Sequence, residues 1–158
     1  MILSNKELEA LKSENSFQNI YFISIRNDLI ILLKKINSSF ENSSSTYYLS
    51  LFYADDIFNL PDFNEFLKKY YKKEYQTKKI YIILSVCCLI IATKFNENDP
   101  HFPGAYNFLA LCNKFNIDNY MIQIIDLTEG EIIILKFIKY KLNYYSVYNF
   151  LVFFLDME

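Results

Sequence analysis

Residues 80–92 read IYIILSVCCLIIA, an apolar run interrupted only by Ser85, and two residues further on the chain carries a lysine. A helix that is apolar on every side belongs in the middle of a fold, with other helices packed around it. The run is too short for a bilayer, which takes about 20 such residues, so the sequence predicts a core helix. In helical register Lys94 stands one turn above Ile90 and Ile91 and two above Cys87, on a face expected to be buried. A charge in such a place must be paired, neutralised or handed to a partner, because desolvating it alone is costly.

The chain has 158 residues, the size of one ordinary domain. With 53% apolar residues, only two glycines and three prolines, it holds too much core material for disorder and little for turns. The expectation is an all-α bundle. A formal net charge of −2 and scattered lysines lack the basic footprint of a nucleic-acid binder, so no nucleic-acid partner is expected. No basic and apolar leader pattern opens the sequence, and no membrane partner is expected. Cys87, Cys88 and Cys112 are read as reduced thiols of a cytoplasmic or nuclear protein. One histidine, His101, and cysteines without metal-ligand spacing predict no metal site and no cofactor. A glycine-rich phosphate loop is also missing, and the chain is not expected to be an enzyme.

Apolar spacing predicts helices over residues 17–36, 44–58, 77–95, 105–115 and 118–141, and a last one capped by Ser146. Between the second and third of these, the charged segment DFNEFLKKYYKKEY, with Pro61 placed for a first turn, reads as a short surface insertion at about 60–74. Residues 1–19 form an N-terminal segment and 20–158 a single domain.

Lys94 has counterparts. Glu131 lies among Ile124, Leu127, Ile134, Leu135 and Ile138, Arg26 among Phe22, Ile23, Leu29, Ile30 and Leu33, and Asp55 among Tyr48, Leu51, Phe52 and Phe58. Two are positive and two negative. Periodicity leaves two readings open: internal salt bridges that fix helix register, or charges reserved for a partner.

CLIIATKFNE resembles the end of the third helix of the cyclin box, where the family typically reads Leu-Leu-Ala-Ser-Lys-Phe-Glu-Glu. EIIILKFIKYKL followed by SVYNFL resembles the fifth helix and what comes after it. Arg26 and Asp55 fall without a gap on an arginine of the first helix and an aspartate of the second, which cyclins join in a salt bridge. The resemblance spans roughly residues 20–156. It implies a cyclin-box bundle of five core helices around a central apolar helix, plus the insertion helix and a C-terminal helix. It further implies a regulatory subunit that binds a cyclin-dependent protein kinase through the kinase αC helix and stabilises its active form, in a cell-cycle or transcriptional role. Lys94 and Glu131 would be the polar centre of the kinase-binding surface, ringed by Ile91, Phe95, Leu135, Tyr140 and Leu142. Arg26 and Asp55 would be the structural pair.

Departures are plain. Asn96 replaces the first glutamate of the motif while Glu97 keeps the second, and Gly130 stands in mid-helix, at up to about 1 kcal/mol relative to alanine. The longer loops and the ending soon after one box resemble transcriptional or single-box P-type cyclins from an AT-rich eukaryote, or a fragment. Leu32 and Lys35 occupy positions where the substrate-docking patch of cell-cycle cyclins needs a tryptophan and an acid, so that activity is not expected. The alternative is a cyclin-fold scaffold, like transcription factor IIB, or a helical adaptor that binds no kinase. Exposure separates them: kinase binding needs Lys94 and Glu131 at the surface, whereas the adaptor buries them against each other.

Overall fold

The computed structural model describes residues 19–71, 77–97, 103–116 and 118–138. Their helices are α1 (Ile20–Ser39), α2 (Ser44–Phe58), α3 (Phe63–Tyr70), α4 (Thr77–Asn96), α5 (Ala105–Phe115) and α6 (Ile124–Phe137). No strand occurs among the described residues. The predicted C-terminal helix capped by Ser146 lies outside them.

Helix α4 is the centre. Every residue from Ile80 to Thr93 is buried, and α1, α2, α5 and α6 all pack on it. At 20 residues α4 is longer than its apolar run and, by length and composition alone, could cross a membrane; 78% of its apolar window is instead buried within the protein. Burial among other helices satisfies the all-round hydrophobicity that the sequence displays.

Caps set the boundaries. Asn19 opens α1 by accepting the Phe22 amide at 3.0 Å through Oδ1, and its amide group donates to the Phe58 carbonyl and the Tyr81 hydroxyl. One residue thus ties the start of α1 to the end of α2 and the start of α4. Ser43 caps α2 through its side chain, which accepts the Thr46 amide.

Two segments differ from expectation. The long helix predicted from residue 118 begins only at Ile124. Before it, Asn116 Oδ1 accepts the Tyr120 amide at 2.9 Å, and Asn113 accepts the Ile122 amide and donates to the Ile122 carbonyl. Side chains here supply the backbone partners that a helix would have supplied. Asn119 adopts φ 54°, a left-handed conformation that asparagine tolerates. A reciprocal cap then starts α6, with the Gln123 amide donating to the Asp126 carboxylate at 2.9 Å.

The second is α3. Its charged face is exposed as its composition predicts, yet Phe63 is only 1% exposed and Leu67 is buried. The Phe63 ring centroid lies 5.1 Å from that of Phe58, 5.8 Å from Tyr81 and 5.7 Å from Phe137. The segment therefore contributes to the aromatic core and is more than a surface insertion.

Gly130 has a packing reason. A Cβ there would lie 2.7 Å from Cys87 Sγ and 3.2 Å from Ile83 Cγ2, so the missing side chain lets α6 close onto α4. At the same crossing the Cys87 thiol donates to the Leu127 carbonyl at 3.3 Å.

Candidate functional site

The close α4–α6 crossing fixes the placement of the residues just beyond it on both helices. One residue after Gly130 comes Glu131, and two turns after Cys87 comes Lys94. Lys94 Nζ lies 2.5 Å from Glu131 Oε1. The lysine side chain is 53% exposed and the glutamate side chain 17%. Lys94 is thus not on a buried face as its neighbours imply. Continuous burial stops at Thr93, and in the last turn of α4 Lys94 and Phe95 are exposed.

Apolar side chains flank the pair unevenly. Phe95 is 45% exposed and Leu135, one turn after Glu131, is half-buried. Ile91 is 3% exposed: it stands one turn before Lys94, where α4 is still covered, so its side chain is committed to the core and is not displayed with the other two. Tyr140 and Leu142 lie outside the described residues. Ile132, next to Glu131, and Ile125, two turns before it on the same face, are both about half exposed and were not singled out by the sequence. With apolar residues all round α6, periodicity alone could not select which isoleucines face outward.

Arg26 and Asp55 meet between α1 and α2, far along the chain from the first pair. Arg26 Nε donates to Asp55 Oδ1 at 2.8 Å and Nη2 to Oδ2 at 2.7 Å, a two-pronged pairing. The hydrogen bond to Asp55 raises the guanidinium pKa further. Both side chains are 39% exposed, so this is a surface pair rather than the buried one that the apolar surroundings suggest. A further cation was missed. Lys78 Nζ lies 2.6 Å from Asp118 and 3.0 Å from Asp28, and the bond to Asp118, with help from Asp28, pushes its pKa up to about 12.

The end of α4 is anchored on both sides of Lys94. Asn42 Nδ2 donates to Thr93 Oγ1 at 3.2 Å, and Asn96 Nδ2 donates to Ser45 Oγ at 2.8 Å and Thr46 Oγ1 at 3.0 Å. Glu97 Oε1 accepts the Ser43 amide at 2.7 Å, the Ser43 hydroxyl at 2.9 Å and the Thr46 hydroxyl at 2.6 Å. A carboxylate so placed also meets the positive end of the α2 dipole.

The three cysteines are free and buried. Burial pushes the Cys112 thiol up to about 12 and raises Cys87 and Cys88 strongly as well. These are inert core thiols, since reactivity needs a lowered pKa and access. Among the described residues no group of three His, Cys, Asp or Glu side chains could hold a metal ion.

Helices wrapped around one buried helix, with a charged pair and exposed apolar side chains near the end of that helix, make up an all-α domain. The chain belongs to the cyclin family: the family described as Cyclin, N-terminal domain matches residues 1–143. Its bundle is the cyclin box, the module of a regulatory, non-catalytic family. Comparison with curated proteins and with solved structures returns no match.

Proposed function

We propose that this chain is a cyclin-like regulatory subunit that binds a cyclin-dependent protein kinase through the kinase αC helix, in the cytoplasm or nucleus, and does no chemistry itself. The observation that carries the reading is the Lys94–Glu131 pair, 2.5 Å apart with the lysine 53% exposed and the glutamate 17% exposed, next in sequence to the exposed Phe95. A pair meant only to fix helix register has no need of an exposed aromatic next to it. A polar centre flanked by apolar anchors is the arrangement of binding hot spots.

Binding would act by population shift. A surface that fits the inward position of αC better than the outward one stabilises the kinase form whose active-site Lys and Glu are paired. Ile125 and Ile132 would extend the apolar part of the contact along α6. The test is affinity purification of the tagged chain from its native cells, followed by mass spectrometry. A cyclin-dependent kinase should be recovered with the parent and depleted with Lys94→Ala. Recovery of no kinase, or of transcription-initiation components in its place, would favour the scaffold.

A further inference from the structure

The residues that hold the emerging turn of α4 belong to a different part of the chain, the α1–α2 connection and the first turn of α2. Resting on the kinase-binding reading, we infer that Glu97 is a positioning residue: by clamping residues 43–46 it fixes the direction in which Lys94 and Phe95 project, without touching the kinase. The anchoring is two-sided, with Thr93 held by Asn42 before the pair, and Asn96 and Glu97 held by Ser43, Ser45 and Thr46 after it. Lys94 and Phe95 sit between these anchors. They are the two residues of that stretch that point outward, and a helix end without such anchors frays within its last turn. Glu97 is well suited to the task because one of its carboxylate oxygens accepts three hydrogen bonds, and bonds to an ionised acceptor are stronger than neutral ones.

The chemistry allows clamping to be separated from capping. Aspartate is as good an N-cap as serine, so Ser43→Asp keeps the start of α2 but sets a second carboxylate against Glu97. Adding Glu97→Gln restores an attractive contact, because the glutamine amide donates to the new carboxylate. Two measurements are made on the parent, Glu97→Ala, Ser43→Asp and the Ser43→Asp/Glu97→Gln double variant: amide hydrogen exchange across residues 93–97, and affinity for a panel of purified cyclin-dependent kinase catalytic subunits. Glu97→Ala and Ser43→Asp should speed exchange of that turn while exchange of α4 residues 80–92 stays slow. Kinase affinity should fall about threefold to thirtyfold, the range for residues that act on a site without contacting its ligand. The double variant should recover both.

Unchanged exchange across residues 93–97 in Glu97→Ala overturns the clamp. Faster exchange with unchanged affinity overturns its positioning role. If the exchange pattern and its rescue appear but the parent binds no member of the panel, the clamp stands and the kinase reading fails.

Discussion

Lys94 and Glu131, 37 residues apart in the chain, meet Nζ to Oε1 on the outer side of the α4–α6 crossing. Beside Glu131, Gly130 leaves room for the α4 side chains: a Cβ there would force the Cys87 sulfur and the Ile83 methyl to give way.

Gly130→Ala should therefore destabilise the domain even though alanine is the better helix former. The gain of up to about 1 kcal/mol from propensity is set against an overpacking cost of about 1 to 3 kcal/mol. The net is expected to be a loss, read by chemical denaturation. Cys87→Ala, which removes the sulfur nearest the new methyl, should make the glycine-to-alanine change less costly in the double mutant than alone. Equal costs in both backgrounds would show that the Cys87 contact does not set the helix spacing.

Phe63→Ala should cost about 3 to 5 kcal/mol, the range for a large aromatic truncated in a core. Phe63 is 1% exposed against three aromatic neighbours. A melting temperature close to that of the parent would return α3 to the status of a dispensable insertion.

Arg26→Ala should be mild. Two side chains each 39% exposed are screened by water, and exposed pairs contribute about 0 to 1 kcal/mol, with two-pronged geometry toward the upper end. A loss several times larger would mean that the pair is desolvated in solution.

Alkaline pH should weaken the fold through its thiols. Cys112 ionises near 9.0 when exposed and near about 12 in the folded domain, so the unfolded chain releases a proton that the folded one retains. Stability that is intact below pH 9 is then lost as pH rises toward 12. Lys78 acts in the same direction above its ordinary value of 10.5. Cys112→Ala should show a shallower fall in denaturation free energy between pH 9 and 10.5, where Lys78 contributes little; a slope equal to the parent's would contradict the assignment.

Where local signals agreed, the fold was legible in the sequence. The apolar run of α4 announced a central helix, and apolar spacing announced the extents of α2 and α5. What was not legible depended on partners distant in sequence. The 3.6-residue pattern runs unbroken through residues 118–123, and only the side-chain bonds of Asn113 and Asn116 show why the chain there is not helical. Lys94 has apolar residues beneath it on its own helix, but its exposure depends on how the other helices pack, which α4 does not encode. The same holds for Ile91, covered, and Phe95, displayed. In α3 the charged residues Glu65, Lys68 and Lys69 outnumber the buried Phe63 and Leu67, and composition therefore pointed outward while two residues carry the packing. The residues expected to bind a kinase could be named from their resemblance to cyclins, whereas the clamp around Glu97 became visible only when residues 42–46 and 93–97 were brought together.

The most direct test compares four proteins, the parent, Lys94→Ala, Glu131→Ala and the double mutant, by thermal melting and by affinity for a purified cyclin-dependent kinase. A pair with the lysine 53% and the glutamate 17% exposed is still screened on the lysine side and contributes about 1 kcal/mol to folding, so melting should move little. Truncating a charge that becomes buried at an interface costs about 2 kcal/mol or more, so each single mutant should bind at least about thirtyfold more weakly. The double mutant should fall short of the sum, because both residues serve one contact region. Early melting of the single mutants with parental affinity in their folded fraction would contradict the account and leave Lys94 and Glu131 as an internal salt bridge.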